Sequence, residues 1–404
     1  MDLNFNLLQE RKTMWTFTCP TIVYGDNALD YIFEIKHQKA FIVTDQYIMR
    51  LGLTQRLTEQ LDTAEIQWSI FDTTDAKSAR AIVQKGGDEA IRFQPNWVIG
   101  LGSSSCINAA KEITRLLHQP VKKPKNPKVI SHNRFGSKPK FMAIPTNSGN
   151  GAEDAWDIMK LKTDASVEMV NEHEHSQVPD VAILDPEMIV LMPPRNTADH
   201  GMDTICKAIE GYVSTWGSSI TDGPALIAIR QAFSNLPKAY NDGQDLNARM
   251  EMQHAAFLAE LSAGNAMAGL GFSAGRALRA AFNLPRGRAV GLLLPYTMEY
   301  LINGSLQTTV KYAEIARFCG AAAGSTMDSA YSLVKKIRSC AEKIHQPLTI
   351  KACGINEREF EAAIDELVKS TLNEIMTRTI LRVPDAQEMA RIFRYAYTGE
   401  TIDF

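Results

Sequence analysis

Apolar and polar positions divide the chain into two halves that follow different periods. Up to about residue 190, short apolar runs bounded by glycine, proline or charge alternate with stretches whose apolar residues recur at helical spacing. The runs Thr21–Tyr24, Lys39–Asp45, Ile66–Phe71, Trp97–Gly102 and Phe141–Pro145 predict strands. Leu53–Leu61, Ser78–Ile91 and Ser105–Leu117 predict the helices between them. Strands that alternate with helices of this length build a parallel sheet that takes ligands at the carboxyl ends of its strands. Residues 1–190 are therefore expected to form an α/β domain of nucleotide-binding type. Beyond Pro193-Pro194 the strand signals nearly vanish, and helices are predicted over about 200–216, 221–240, 246–268, 288–302, 307–319, 326–345, 356–368 and 385–399. Residues 191–404 are expected to be an all-α domain, with the double proline as the hinge.

The helix that opens the second half carries the most unusual pattern. Thr197 or Asp199 is placed to cap its first amides, and Ile205, Ala208, Ile209, Tyr212 and Val213 form an apolar face. Asp203 and Lys207 stand four apart, on one face and one turn from each other. On an exposed helix such a pair contributes only about 0.3–0.5 kcal/mol. His200, one turn before Asp203, reads as a surface residue of the first turn.

Composition narrows the function classes. With 404 residues, 45% of them hydrophobic, the chain can bury a large core, and a net charge of −3 argues against a nucleic-acid or anionic-membrane surface spread over the protein. Six scattered cysteines without a CxxC pair fit reduced thiols of a cytoplasmic protein. No apolar run is long enough to span a membrane, and the polar start Met1–Arg11 has no signal-peptide core. The basic loop Gln119–Lys140 lacks interleaved aromatics and reads as a solvated loop, as does the segment carrying His173 and His175.

Four stretches, in order over nearly the whole chain, resemble the iron-containing (group III) alcohol dehydrogenase family, whose fold is shared with dehydroquinate synthase. Gly102-Ser-Ser-Ser-Cys-Ile-Asn108-Ala-Ala-Lys111 stands where the family has a triple-glycine turn followed by Ser-x-x-Asp-x-x-Lys. Pro145-Thr-Asn-Ser-Gly149-Asn-Gly151-Ala-Glu153 matches the family's second glycine-containing loop. Pro193-Pro-Arg-Asn-Thr197 leading to Gly201-Met-Asp203, and Asn283-Leu-Pro-Arg286-Gly287, match the segments that hold the family's metal ligands. The resemblance implies an NAD(H)-dependent enzyme acting on a small alcohol or aldehyde, and a homo-oligomer.

Residue by residue, the resemblance assigns cofactor contacts to Gly102, Ser103, Ser104, Ser105, Asn108, Thr146, Asn147, Gly149 and Gly151. It also places Asp45 at the adenosine ribose, where a carboxylate repels a 2′-phosphate and so prefers NAD to NADP. Ser103 and Ser104 replace glycines that let amides approach the pyrophosphate, and Gly149 and Gly151 keep the second loop open to the cofactor. The family's metal is held by one Asp and three His, and only Asp203 remains at those positions. Lys207 and Arg286 replace two histidines, and a two-residue shortening leaves Ala274 and Arg276 as alternatives for the third. Protonated Lys and Arg offer no lone pair, so no tightly bound Fe or Zn is expected.

Three readings follow. In the first, the protein is a metal-free oxidoreductase in which Lys207, Arg286 and Arg276 or Arg279 supply positive charge where an alkoxide forms, and a cation-rich pocket takes an anionic substrate. In the second, the fold survives without catalysis, as an oligomer partner or regulatory subunit. In the third, the scaffold carries a non-redox reaction.

Overall fold

The computed structural model describes residues 17–35, 38–75, 79–118, 138–149, 151, 158–161, 167–170 and 178–404. Most of the basic loop (119–137), the His173–His175 segment, the first 16 residues and Glu153 lie outside the described residues.

The first half contains strands β1 (Thr21–Tyr24) and β2 (Lys39–Thr44), helices α1 (Gln46–Arg50) and α2 (Leu53–Thr63), and β3 (Gln67–Asp72). It continues with α3 (Ala79–Phe93), β4 (Trp97–Gly102), α4 (Ser104–His118), β5 (Lys140–Pro145), the hairpin strands β6 (Ile158–Leu161) and β7 (Val167–Val170), and β8 (Val181–Leu184). Six strands form one parallel sheet in the order β1-β8-β5-β4-β2-β3, and β6 and β7 pair separately in antiparallel fashion. Alternate residues point to opposite faces, as strand geometry requires. Ala40, Ile42, Ile99 and Leu101 pack with Leu53, Leu57 and Leu61 of α2. Phe41, Val43 and Val98 pack with Ile107, Ala110 and Ile113 of α4. A two-sided parallel sheet of this kind was expected from the alternation of runs. The hairpin β6–β7 and strand β8 were not predicted.

Strand β2 leads outward to β3 on one side, whereas β4 returns to the other side of β2 and leads on to β5. The connections therefore diverge at the carboxyl ends of β2 and β4, where sheets of this class leave an open crevice.

The second half consists of α5 (Pro194–Val213), α6 (Ser219–Asn241), α7 (Leu246–Ala266), α8 (Leu270–Phe282), α9 (Arg286–Gly304), α10 (Leu306–Phe318), α11 (Thr326–Lys343), α12 (Glu357–Asn373) and α13 (Ala386–Thr398). Helix α8 is missing from the sequence prediction. Helix α5 is wrapped by α6, α7 and α9, and every residue from Thr197 to Val213 except His200 is buried. Its start also differs from the prediction. The cap is Pro193, with Pro194 as the first helical residue, so neither Thr197 nor Asp199 caps the helix. Helix α7 joins the halves by packing Phe257 and Leu261 on Ala182 and Leu184 of β8.

Candidate active site

A cavity of about 290 Å³ opens at the divergence of β2 and β4 and runs to the first turns of α5. Asp45, Ser103, Ser104, Ser105, Thr146 and Asn147 line its sheet side, Met188, Leu191 and Met192 form an apolar wall, and His200 lies at the inner end. Asp45 ends β2 and caps α1 by accepting from the Ile48 amide (2.9 Å), while its other oxygen accepts from the Cys106 thiol at 3.2 Å. Burial, with Asp45 adding to it, pushes the Cys106 thiol far up and keeps it a donor. Ser103 precedes α4, a 15-residue helix whose free N-terminal amides favour an anion.

At three of the expected cofactor contacts the packing itself requires glycine. Gly102 has φ +143°, and a Cβ there would sit 2.8 Å from the Cys106 sulfur. At Gly149 (φ +151°) a Cβ would stand 2.2 Å from the His200 carbonyl oxygen, and at Gly151 it would stand 2.4 Å from the Glu260 side chain. Close packing of their loop on α5 and α7 requires these two glycines. Asn108 lies further along α4 and does not line the cavity.

Behind His200, α5 carries a stripe of four buried charges at Asp199, Asp203, Lys207 and Glu210. Spacings of four, four and three put them on one side of the helix. An uncompensated buried charge costs several kcal/mol, so each must be met by a neighbour. Asp199 accepts two bonds from Arg288 (both 3.1 Å) and one from Gln346 (2.9 Å). Asp203 Oδ2 accepts from Arg286 Nη2 at 2.6 Å and lies 3.6 Å from Lys207 Nζ. The Lys207 ammonium donates to Glu260 Oε2 of α7 at 2.5 Å. Glu210 accepts from the amides of Gly269, Gly271 and Phe272 at 2.6–3.0 Å, which fixes the start of α8.

Burial works against the Asp203 carboxylate, but Arg286 first and Lys207 next hold it below the ordinary range. Glu210, whose burial is opposed only by hydrogen bonds, is pushed up to about 7. His200 is half-buried, not the surface residue expected from its place in the first turn. Desolvation drives its imidazole down to about 4, with Asp203 opposing and Arg286 and Lys207 assisting.

The structure thus brings Asp203, Lys207 and Arg286 together and leaves Arg276 apart, paired with Glu374 at 3.4 Å. Phe272 of α8 packs against the cluster, its ring centre 5.8 Å from Lys207 Nζ and 5.7 Å from Arg286 Cζ. The expected excess of cations is also corrected. Glu260 balances Lys207, Asp203 balances Arg286 and Glu374 balances Arg276, while Arg279 is an exposed residue of α8. Sequence reasoning missed Glu260 because its partner is 53 residues away. A glutamate on an otherwise apolar stretch of a predicted helix was the only available signal.

Asp203 Oδ1 is buried without a hydrogen-bond partner. Among the described residues no three His, Cys, Asp or Glu side chains gather as a metal ion would need.

Residues 19–186 match the family described as iron-containing alcohol dehydrogenase, and residues 197–397 match the C-terminal part of the Fe-containing alcohol dehydrogenase family. The chain belongs to the iron-containing alcohol dehydrogenase family. It is 31% identical over 398 residues to an NADPH-dependent butanol dehydrogenase of Clostridium saccharobutylicum, covering 97% of this chain and 100% of that one. It is 29% identical to a 1-propanol dehydrogenase of Citrobacter freundii, over 94% of this chain and 99% of the relative. Among solved structures, that of a 1,3-propanediol oxidoreductase superposes with a TM-score of 0.83 at 26% identity, over 95% of this chain and 100% of the other.

Proposed function

We propose that the protein is an NAD(H)-dependent alcohol dehydrogenase or aldehyde reductase for short, uncharged substrates, and that it works without the family's metal. The observation that carries this reading is the occupation of Asp203 Oδ2 by the Arg286 guanidinium and the Lys207 ammonium. Neither group has a lone pair to give a metal, and both bring the positive charge that a metal otherwise supplies. The residues present do not fit Fe²⁺ or Zn²⁺.

They do fit a dinucleotide. Asp45 stands where ribose hydroxyls can donate to it, and the α4 N-terminus faces the same cavity as a pyrophosphate site. Asp45 also supports NAD over NADP, although the butanol dehydrogenase relative is named as NADPH-dependent. When bound, the reduced nicotinamide would supply a hydride to the carbonyl carbon and be oxidised to NAD⁺, with a proton from solvent completing the alcohol. Negative charge then develops on the carbonyl oxygen, and fixed cations near it lower the barrier because they need no reorganisation. Arg286, with its side chain 21% exposed, is the nearer source of that charge. Lys207, tethered between two carboxylates, serves as a buried fixed charge and keeps Asp203 and Arg286 in place. His200 is a neutral hydrogen-bond donor at the inner end of the cleft, a role that a neutral imidazole can fill.

An anionic substrate has lost its basis, because Glu260 and Glu374 offset the cations that would attract it. A domain boundary near residue 190 is supported by the gap between the two family matches, at residues 187–196. Cytoplasmic placement and homo-oligomeric assembly belong to the same proposal. The test is a fluorescence titration with NADH followed by NADH-dependent reduction of butanal. Binding and turnover are expected, with Lys207→Ala abolishing turnover while binding is retained. Failure to bind NADH at millimolar concentration overturns the reading.

A further inference from the structure

The Lys207 ammonium and the Arg286 guanidinium converge on one carboxylate oxygen, Asp203 Oδ2, at 3.6 and 2.6 Å. Two like charges repel where little water screens them, and their side chains are only 5% and 21% exposed. Asp203 opposes that repulsion for both cations, and Glu260 opposes it for Lys207. A further contact that the two cations share is the ring of Phe272, 5.8 Å from Lys207 Nζ and 5.7 Å from Arg286 Cζ. The face of an aromatic ring carries partial negative charge and attracts a cation within about 6 Å of its centre, more strongly where water is excluded. Phe272 is 4% exposed, so water is largely excluded here.

The ring is itself held in place. Phe272 lies in the first turn of α8, and its amide donates to Glu210 Oε2 at 3.0 Å. Gly269 and Gly271 donate to the same carboxylate at 2.8 and 2.6 Å. The carboxylate is closely enclosed, since a Cβ on Gly271 would stand 2.9 Å from Glu210 Oε1. Glu210 and Lys207 are three apart on one side of α5. Helix α5 thus fixes the start of α8 through Glu210, and α8 returns a contact to α5 through the ring on Lys207.

We propose that Phe272 is a positioning residue for the cation pair: its ring keeps Lys207 and Arg286 where a developing alkoxide meets fixed positive charge, and Glu210 keeps the ring in place. The role rests on the metal-free redox reading, and Phe272 acts in it only through the two cations.

Fluorine on the Phe272 ring drains charge from the ring face while adding apolar area. A ring that only fills space holds or gains stability when fluorinated, whereas a ring that attracts cations loses it. The test is replacement of Phe272 in the full chain by monofluoro- and then trifluorophenylalanine. On each protein the urea midpoint, the dissociation constant for NADH and kcat for butanal reduction are measured. The midpoint is expected to fall at each step, and kcat to fall at least about threefold over the series. Affinity for NADH should stay within about twofold, because Phe272 does not line the cofactor cleft.

A midpoint that holds or rises overturns the contact. A falling midpoint with unchanged kcat overturns the positioning role. Glu210→Gln withdraws one acceptor oxygen from the α8 amides, so in that background fluorination should cost less than half as much in kcat. An equal loss in both backgrounds removes Glu210 from the assembly. Wild-type protein that fails to reduce butanal overturns the redox reading instead, and the urea series still decides whether the ring holds the cations.

Discussion

Lys207 of α5 and Glu260 of α7 meet at 2.5 Å in the interior of the helical half, with both side chains less than one-tenth exposed. The contact links the helix that carries the candidate site to the helix that docks on the sheet. It also makes Lys207 the bridge between two carboxylates, Glu260 on one side and Asp203 at 3.6 Å on the other. Removing one partner of a buried ion pair typically costs about 3–5 kcal/mol, because the other is left uncompensated. Glu260→Ala is therefore expected to lower unfolding stability by about 3 kcal/mol in urea denaturation. Glu260→Gln keeps a hydrogen-bond acceptor and should recover roughly half of that. A wild-type midpoint for Glu260→Ala would show that the pair is not coupled to stability.

Asp45 is expected to set the cofactor. Asp45→Asn keeps the shape and the cap on α1 but removes the charge that opposes a 2′-phosphate. The ratio of kcat/KM with NADPH to that with NADH should rise at least about tenfold, which corresponds to about 1.4 kcal/mol. An unchanged ratio would remove Asp45 from cofactor choice.

Gly149 is expected to tolerate no side chain. A Cβ there meets the His200 backbone at 2.2 Å, and φ +151° is strained for alanine. Gly149→Ala should therefore destabilise by more than about 2 kcal/mol, or displace α5 and abolish turnover. Wild-type stability together with wild-type activity would contradict the packing.

The folded-state value of His200, near 4 against an unperturbed 6.5, fixes a sign. Between those values the unfolded chain binds more protons than the folded one, so stability rises with pH. The contribution is complete above pH 6.5 and is lost as the pH falls towards 4, with a limit of about 3 kcal/mol. Subtracting the stability curve of His200→Asn from that of the wild type should isolate this acid-side loss. A flat difference would show that the imidazole titrates normally.

Much of the fold could be read from local patterns, whereas the site could be read only in part. Period-two runs and helical stretches located five strands of the main sheet, because their burial is decided by near neighbours. Helix α8 escaped, since its glycines at 271 and 275 weaken helix propensity and tertiary contact overrides them. There Gly275 is required, because a Cβ would stand 2.5 Å from the Val290 backbone. The Asp203–Lys207 pair was visible through its spacing, and Arg286 through the resemblance. Glu260, Glu374 and the partial burial of His200 were not, because contacts with residues distant in sequence, such as charge compensation across 53 or 98 residues, leave no local trace. The expected surplus of positive charge was a consequence of counting only one side of those pairs.

The central claim is that Arg286 and Lys207 stand in place of the family's metal. It is tested most directly by measuring NADH-dependent butanal reduction by protein stripped with a chelator and shown by elemental analysis to hold no stoichiometric Fe or Zn. The account predicts an undiminished rate that does not rise when Fe²⁺ or Zn²⁺ is restored. A rate lost with the metal and recovered with it would contradict the account.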